Sequence, residues 1–253
     1  MKKNSIKKFT LIEMLAVIAI ASVLIAVFTP AFNRMMFGSK VDQAASNFKL
    51  GLGMAQSKAV ASRKYVAMII PCFASVITDA RLKQYALGGY RLAFVRKNSR
   101  SSFEFIEWVS DSSWRNPDDG ARLVRIDEPS VNSDGNYEWT ELLKGKGNSG
   151  NLSDNDLLPA VDKANITKST KLFKIEYDST VKDPDMDALT QDNHTAIVFS
   201  PHYGIVNTIK PLSFYFTETK MDTQGNIEYL NRDNTLQFAL NAVTGRAVFV
   251  DQQ

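Results

Sequence analysis

The chain has 253 residues, 44% of them hydrophobic and 23% charged, which leaves room for one anchor segment and one globular domain. Lys and Arg number 30 against 27 Asp and Glu, a formal net charge of +3; Lys2, Lys3, Lys7 and Lys8 carry four of the positive charges, and without them the balance is −1. The basic excess thus belongs to the N-terminal segment and gives no reason to expect a nucleic-acid partner, while the single cysteine, Cys72, excludes an intrachain disulfide.

Residues 1–8 read as a basic leader. Residues 9–32 are an apolar run of about 24 residues broken by one charge, Glu13. At 1.5 Å per residue, a helix of that length reaches across a hydrocarbon core of ~30 Å. The leader lysines hold its N-terminus on the cytoplasmic side. The expectation is a single-pass transmembrane helix with the C-terminal part outside the cytoplasm, which in a double-membrane bacterium means the inner membrane and a periplasmic domain. An ordinary secretory signal has a shorter apolar region, about 7–15 residues, ending at a small-residue cleavage site. A carboxylate in mid-membrane costs about 2.5–3.5 kcal/mol, so Glu13 needs a purpose. Pro30 removes one helical hydrogen bond and loosens the helix locally.

Residues 33–63 continue as an amphipathic helix. Val41, Ala45, Phe48, Leu52, Ala55 and Ala59 recur at three-to-four spacing and form one apolar stripe. Gly38 followed by Ser39-Lys-Val-Asp42, a capping-box-like sequence, leaves open a bend or restart there.

From Tyr65 the period changes, and residues 64–253 read as one β-rich domain. Candidate strands are Tyr65–Ile70, Tyr90–Arg96, Ser102–Val109, Leu123–Ile126, Lys171–Tyr177, Thr195–Ser200, Gly204–Ile209, Leu212–Glu218, Thr235–Leu240 and Arg246–Val250. Ser110–Gly120 and Lys144–Asp156 are polar loops. Cys72 lies in an apolar strand-like run and reads as a buried, inert thiol.

Catalytic material is thin. His194 and His202 sit in loop-like contexts and read as exposed; neither lies in a metal-ligand spacing. There is no G-x-S-x-G and no phosphate-binding glycine loop. Asp178, Asp183, Asp185, Asp187 and Asp192 form an acidic run. It has the odd-position oxygens of a calcium loop, but Ala188 and His194 stand where an EF-hand needs Gly and Glu. A solvated acidic loop is the default, with a calcium site of another kind left open. Arg91, Arg96, Lys97 and Arg100 cluster, but Glu104 and Glu107 follow closely. These observations indicate a non-enzyme with no cofactor, no metal and no nucleic-acid partner.

Phe9-Thr-Leu-Ile-Glu13 at the head of the apolar run resembles the type IV prepilin signature, shared by type IV pilins and type II secretion pseudopilins. The resemblance is strong from Phe9 to about Pro30. It implies that a prepilin peptidase cuts between Lys8 and Phe9 and methylates the Phe9 amine. It also implies that Glu13 pairs with the N-terminal amine of a neighbouring subunit during assembly, and that Pro30 occupies a position where many pilins carry proline. In lipid such a carboxylate and ammonium are tolerable as a pair. The chain departs from the family at Lys8, where Gly or Ala normally precedes the cut. A relaxed peptidase, slow cleavage and a retained leader are all open, and the otherwise intact motif favours the first.

Three short motifs resemble the H-type minor pseudopilins and their FimT-like pilus relatives: Phe48–Lys64, Ile197–Val206 and Leu236–Val248, the last with Thr244-Gly245-Arg246 at its turn. The resemblance implies an α+β, pilin-like fold: a long N-terminal α-helix, half transmembrane and half amphipathic, packed on an antiparallel β-rich C-terminal domain. It also implies a structural subunit of a type II secretion or type IV pilus-like filament, whose partners are the prepilin peptidase, other subunits through the transmembrane helix, and the inner membrane. The rival reading is an anchored extracytoplasmic binding or catalytic domain that borrows a pilin-like anchor.

Overall fold

A computed structural model of the chain describes residues 11–71, 77, 79–98, 102–117, 120–127, 130–131, 137–138, 150–151, 175–178, 180, 182–189, 194–206, 210–221 and 227–249. Side chains of 27–39 are outside the description. The chain divides into two compact units, Met1–Ser39 and Lys40–Gln253.

In the first unit, the residues of helix α1 (Leu11–Ser62) up to Ser39 are helical. Every residue from Leu11 to Ala26 is exposed. Ser22 returns its hydroxyl to the Ile18 carbonyl at 2.8 Å, the usual way a serine is accommodated inside an apolar helix.

The transmembrane expectation is corrected here. Among the described residues no helix is long and apolar enough to cross a membrane. The pilin-like fold class built on a transmembrane half is overturned with it, as are the transmembrane character of residues 9–32 and the single-pass inner-membrane placement with a periplasmic domain. The architecture is a pair of mostly antiparallel sheets around a short amphipathic helical segment.

That segment is α1 from Lys40 onward. All six stripe residues, Val41 to Ala59, are buried, because two sheets close over one face of the helix. Gly38 to Asp42 lie inside α1, without a restart. The helix stops at Ser62, whose hydroxyl bonds the Lys58 carbonyl at 2.7 Å. Arg63 then takes φ 55°, the left-handed conformation that ends helices.

The remaining elements are β1 (Tyr65–Pro71), α2 (Ala80–Lys83), β2 (Arg91–Lys97), β3 (Phe103–Trp108), β4 (Ala121–Asp127), β5 (Ser130–Val131), β6 (Tyr137–Glu138), β7 (Gly150–Asn151), β8 (Ile175–Glu176), α3 (Pro184–Ala188), β9 (His194–Phe199), β10 (Leu212–Met221), β11 (Ile227–Leu240) and β12 (Ala247–Phe249). The first sheet runs β8-β3-β2-β1-β9, antiparallel except for β8 on β3. The second runs β12-β11-β10-β4, with β7 also pairing β11.

The first sheet is buried on both faces, which is why β1 reads as a continuous apolar run rather than an alternation. Val66, Met68 and Ile70 face α1 and the second sheet. Ala67 and Ile69 face a second core with Leu82 of α2 and Met186 of α3. Phe48 of α1 anchors the first core, its ring 5.4–6.4 Å from those of Tyr90, Phe214, Phe216 and Phe238.

The three motifs flagged in sequence converge in this unit. Gly204 N–H donates to Val243 O at 2.7 Å and Ile205 N–H to Ala242 O at 2.8 Å, which joins the Pro201–Gly204 loop to the terminal hairpin. Gln56 of α1 donates to the Thr244 carbonyl of the same turn. Gly245 sits at φ 65°, and Asn241 Oδ1 accepts from the N–H groups of Val243 and Thr244. Arg246 is exposed.

Two outcomes follow. A Cβ on Gly204 would lie 2.1 Å from the Ala242 carbonyl oxygen, a backbone atom that cannot swing aside. Gly204→Ala therefore costs about 1–3 kcal/mol in a urea melt, whereas a change under 0.5 kcal/mol contradicts this junction. Residues 40–253 expressed alone give mixed helix and strand circular dichroism and one cooperative transition; aggregation without a transition contradicts the division into units.

Candidate functional site

Of the expected processing and assembly residues, Lys8 and Phe9 lie outside the described residues. Glu13 is an exposed helical residue of the first unit, among apolar neighbours. Pro30 is helical, and its side chain lies outside the description. Around Glu13, Leu11 is 81% exposed, Ile12 76%, Leu15 61%, Ile18 65% and Ile25 66%. At 100° per residue these positions cover one side, and Met14, Val17, Ile20 and Val23, all exposed as well, cover the other, so the segment has no polar side to turn to water. An isolated apolar residue at a surface is ordinary; a helix apolar all round is normally buried.

The acidic run departs from its expectation as a solvated loop. Asp183 caps α3: its Oδ1 accepts from the N–H groups of Asp185 at 3.0 Å and Met186 at 2.9 Å, with Pro184 in the first helical turn. Its Oδ2 accepts from Trp108 Nε1 at 2.9 Å, and its own N–H donates to the Tyr177 hydroxyl at 2.7 Å. Asp185 Oδ2 accepts from Arg91 Nη1 at 2.6 Å and Trp114 Nε1 at 2.8 Å. The Arg91 guanidinium lies 4.3 Å from the centre of the Trp108 ring. Two of the five acids thus tie α3 to the first sheet through indole and guanidinium donors. Asp178 accepts from the Thr180 N–H at 2.9 Å, which holds its carboxyl below the usual range. Asp187 is exposed, and Asp192 lies outside the described residues. No group of three metal-ligating side chains occurs among the described residues.

His194 is a second correction. It is 1% exposed in β9, and its Nε2 accepts from the Ile175 N–H at 3.2 Å, so it is a core residue and not a loop histidine. His202 is exposed. Cys72 and Arg100 fall outside the described residues. Of the basic cluster, Arg91 is held by Asp185 and Arg96 by Glu104 at 2.8 Å.

A feature that sequence reasoning missed is a cleft of about 290 Å³ in the second unit. Phe48, Tyr90 and Phe216 form its floor, Leu50 and Met54 one lip, Arg115 and Asn116 the other. Mutual backbone bonds between Tyr90 and Arg115, 3.2 and 2.9 Å, bring the second lip beside the floor. Gly51 makes room for Tyr90: a Cβ there would be 2.3 Å from Tyr90 Cζ. Burial pushes the Tyr90 phenol above its usual pKa, against the opposing charge of Arg115. The lips lie 61 or more residues apart in sequence, so no local pattern announces the cleft.

Replacing Asp185 with Ala leaves the partly buried Arg91 without its counter-charge and the Trp114 indole without an acceptor. The expected cost is about 1–3 kcal/mol, with weakened near-ultraviolet tryptophan dichroism. Asp187→Ala, at an exposed position on the same short helix, stays within about 0.5 kcal/mol of wild type. Equal effects of the two contradict the tie.

Comparison with known proteins supplies no relative: no family model, no curated protein and no solved structure matches the chain.

Proposed function

We propose that the chain is a structural subunit of the pseudopilin or minor-pilin kind, assembled into a type II secretion or type IV pilus-like filament through the apolar part of its first unit. The observation that carries this reading is the helix Leu11–Ala26, exposed along its whole length with apolar side chains on every side. Each large aliphatic side chain gains about 1.5–3 kcal/mol when it leaves water. A surface of that kind has a strong drive to pack against like helices of neighbouring subunits, and lateral helix packing is what builds a filament. Phe9-Thr-Leu-Ile-Glu13 adds the prepilin signature to the same segment. In this reading the prepilin peptidase cuts between Lys8 and Phe9, and Glu13 gives the neighbouring subunit's Phe9 amine its counter-charge. The two-sheet second unit carries partner choice. The chain is not an enzyme and needs no cofactor.

Mass spectrometry of the protein from its native host tests processing. The expected species begins at an N-methylated Phe9; finding only chains that begin at Met1 or Lys2 overturns it. Glu13→Leu tests assembly. An ammonium buried without its partner costs about 3–5 kcal/mol, so incorporation into filaments falls roughly ten-fold or more, while the melt of the second unit is unchanged. Normal incorporation refutes the pairing.

A further inference from the structure

The cleft in the second unit has a chemistry of its own. Its floor is aromatic and dry: Phe48 is 2% exposed, Phe216 1% and Tyr90 8%. Its lips differ from each other. One, on α1, carries Leu50 64% and Met54 45% exposed, with Asn47 beside them. The other carries Arg115 and Asn116, both exposed, and neither side chain makes a hydrogen bond or ion pair with a described residue. Arg115 is the one charged residue of the lining.

We propose that this cleft binds the carboxyl terminus of a peptide chain ending in a large apolar residue. The volume, about 290 Å³, is at the lower limit of ligand sites, enough for one large side chain and a chain end but too small for a nucleotide or a drug-sized cofactor. Leu50 and Met54, the exposed apolar side chains of the lining, take a ring or a branched aliphatic side chain above the buried rings. The guanidinium of Arg115 presents a fork of N–H donors that matches a carboxylate with two parallel bonds. Asn116 adds an amide that can both donate and accept, which suits the last peptide group. A free fatty acid shares the carboxylate and the apolar tail but has no amide for Asn116. An internal peptide segment has no terminal charge for Arg115. The occupant that uses the apolar lip, the cation and the amide together is therefore a chain end. The inference is independent of the filament reading, since it uses residues of the second unit alone.

The test is fluorescence anisotropy with the full-length protein and an N-terminally labelled hexapeptide, Gly-Ser-Gly-Ser-Gly-Phe, with a free carboxyl terminus. Binding is expected with a dissociation constant on the order of 0.1–1 mM, as befits a small, half-open site. Amidating the peptide's terminus, or Arg115→Gln, weakens binding about three- to five-fold, the range for an exposed charge pair. Met54→Glu places a carboxylate against the ligand's own and weakens it comparably. Circular dichroism melts of both variants report whether the fold is intact, and Arg115 and Met54 are exposed enough to change without unfolding it. No anisotropy change up to 5 mM peptide, on the order of five times the weakest expected constant, overturns the proposal. So does equal binding of the free and amidated peptides, or no effect of Arg115→Gln. Decanoate displacing the probe as well as unlabelled peptide does identifies a fatty-acid site and likewise overturns it.

Discussion

The second unit depends on one contact: the ring of Phe48 set among Tyr90, Phe214, Phe216 and Phe238. These rings come from α1, from the residue preceding β2, and from β10 and β11. Phe214 and Phe238 stack on the neighbouring strands at 4.9 Å, and Phe48 closes on them from the helix. The stripe from Val41 to Ala59 follows Phe48 into the same core, and with it the inner face of β1. The small residues of the stripe, Ala45, Ala55 and Ala59, let the helix approach the sheets closely. Gly51 does the same for Tyr90. The cleft is the by-product of this arrangement, because its floor is made of core rings and its lips of the helix and the segment after β3.

The two units pose opposite solvation problems. In the second, a one-sided apolar stripe is covered by the chain's own sheets, so its polar faces are left in water. In the first, the apolar residues from Leu11 to Ala26 face outward all round and are covered by nothing in the described chain. That contrast is the physical ground for the proposal that one part of the molecule folds and the other assembles. On that proposal Glu13, the lone charge of Leu11–Ala26, acts as a register mark, since a carboxylate in apolar surroundings is stable where a counter-charge meets it.

What was legible in sequence was whatever depended on local periodicity. The stripe Val41–Ala59 marked the buried face of α1 residue by residue, and strands such as β1, β2 and β10 stood close to their apolar runs. Polar stretches inside strands were not legible. β11 extends back to Ile227 through Asn231-Arg-Asp-Asn, which reads as a loop; it is a strand because its pairing with β10 tolerates register shifts at Glu218. His194 looked like a loop residue because its neighbours are polar, yet β9 carries it into the core. Asp183-Pro-Asp suggested calcium oxygens, and its actual use is a helix cap. The partners that decide this, Trp108 and Trp114, lie 75 and 71 residues from the acids they serve, a distance at which no local pattern helps. The transmembrane expectation rested on the length of residues 9–32 as one run, and the described helix does not supply a membrane-spanning apolar stretch.

Helix α1 enters the fold through Phe48 and not through its outer face. Urea melts of full-length Phe48→Ala and Val60→Ala test it most directly, since both residues lie on the same helix and only Phe48 is buried. Phe48→Ala is expected to lose about 3–5 kcal/mol and Val60→Ala less than about 0.5 kcal/mol. Equal losses, or a Phe48→Ala protein as stable as wild type, would contradict it.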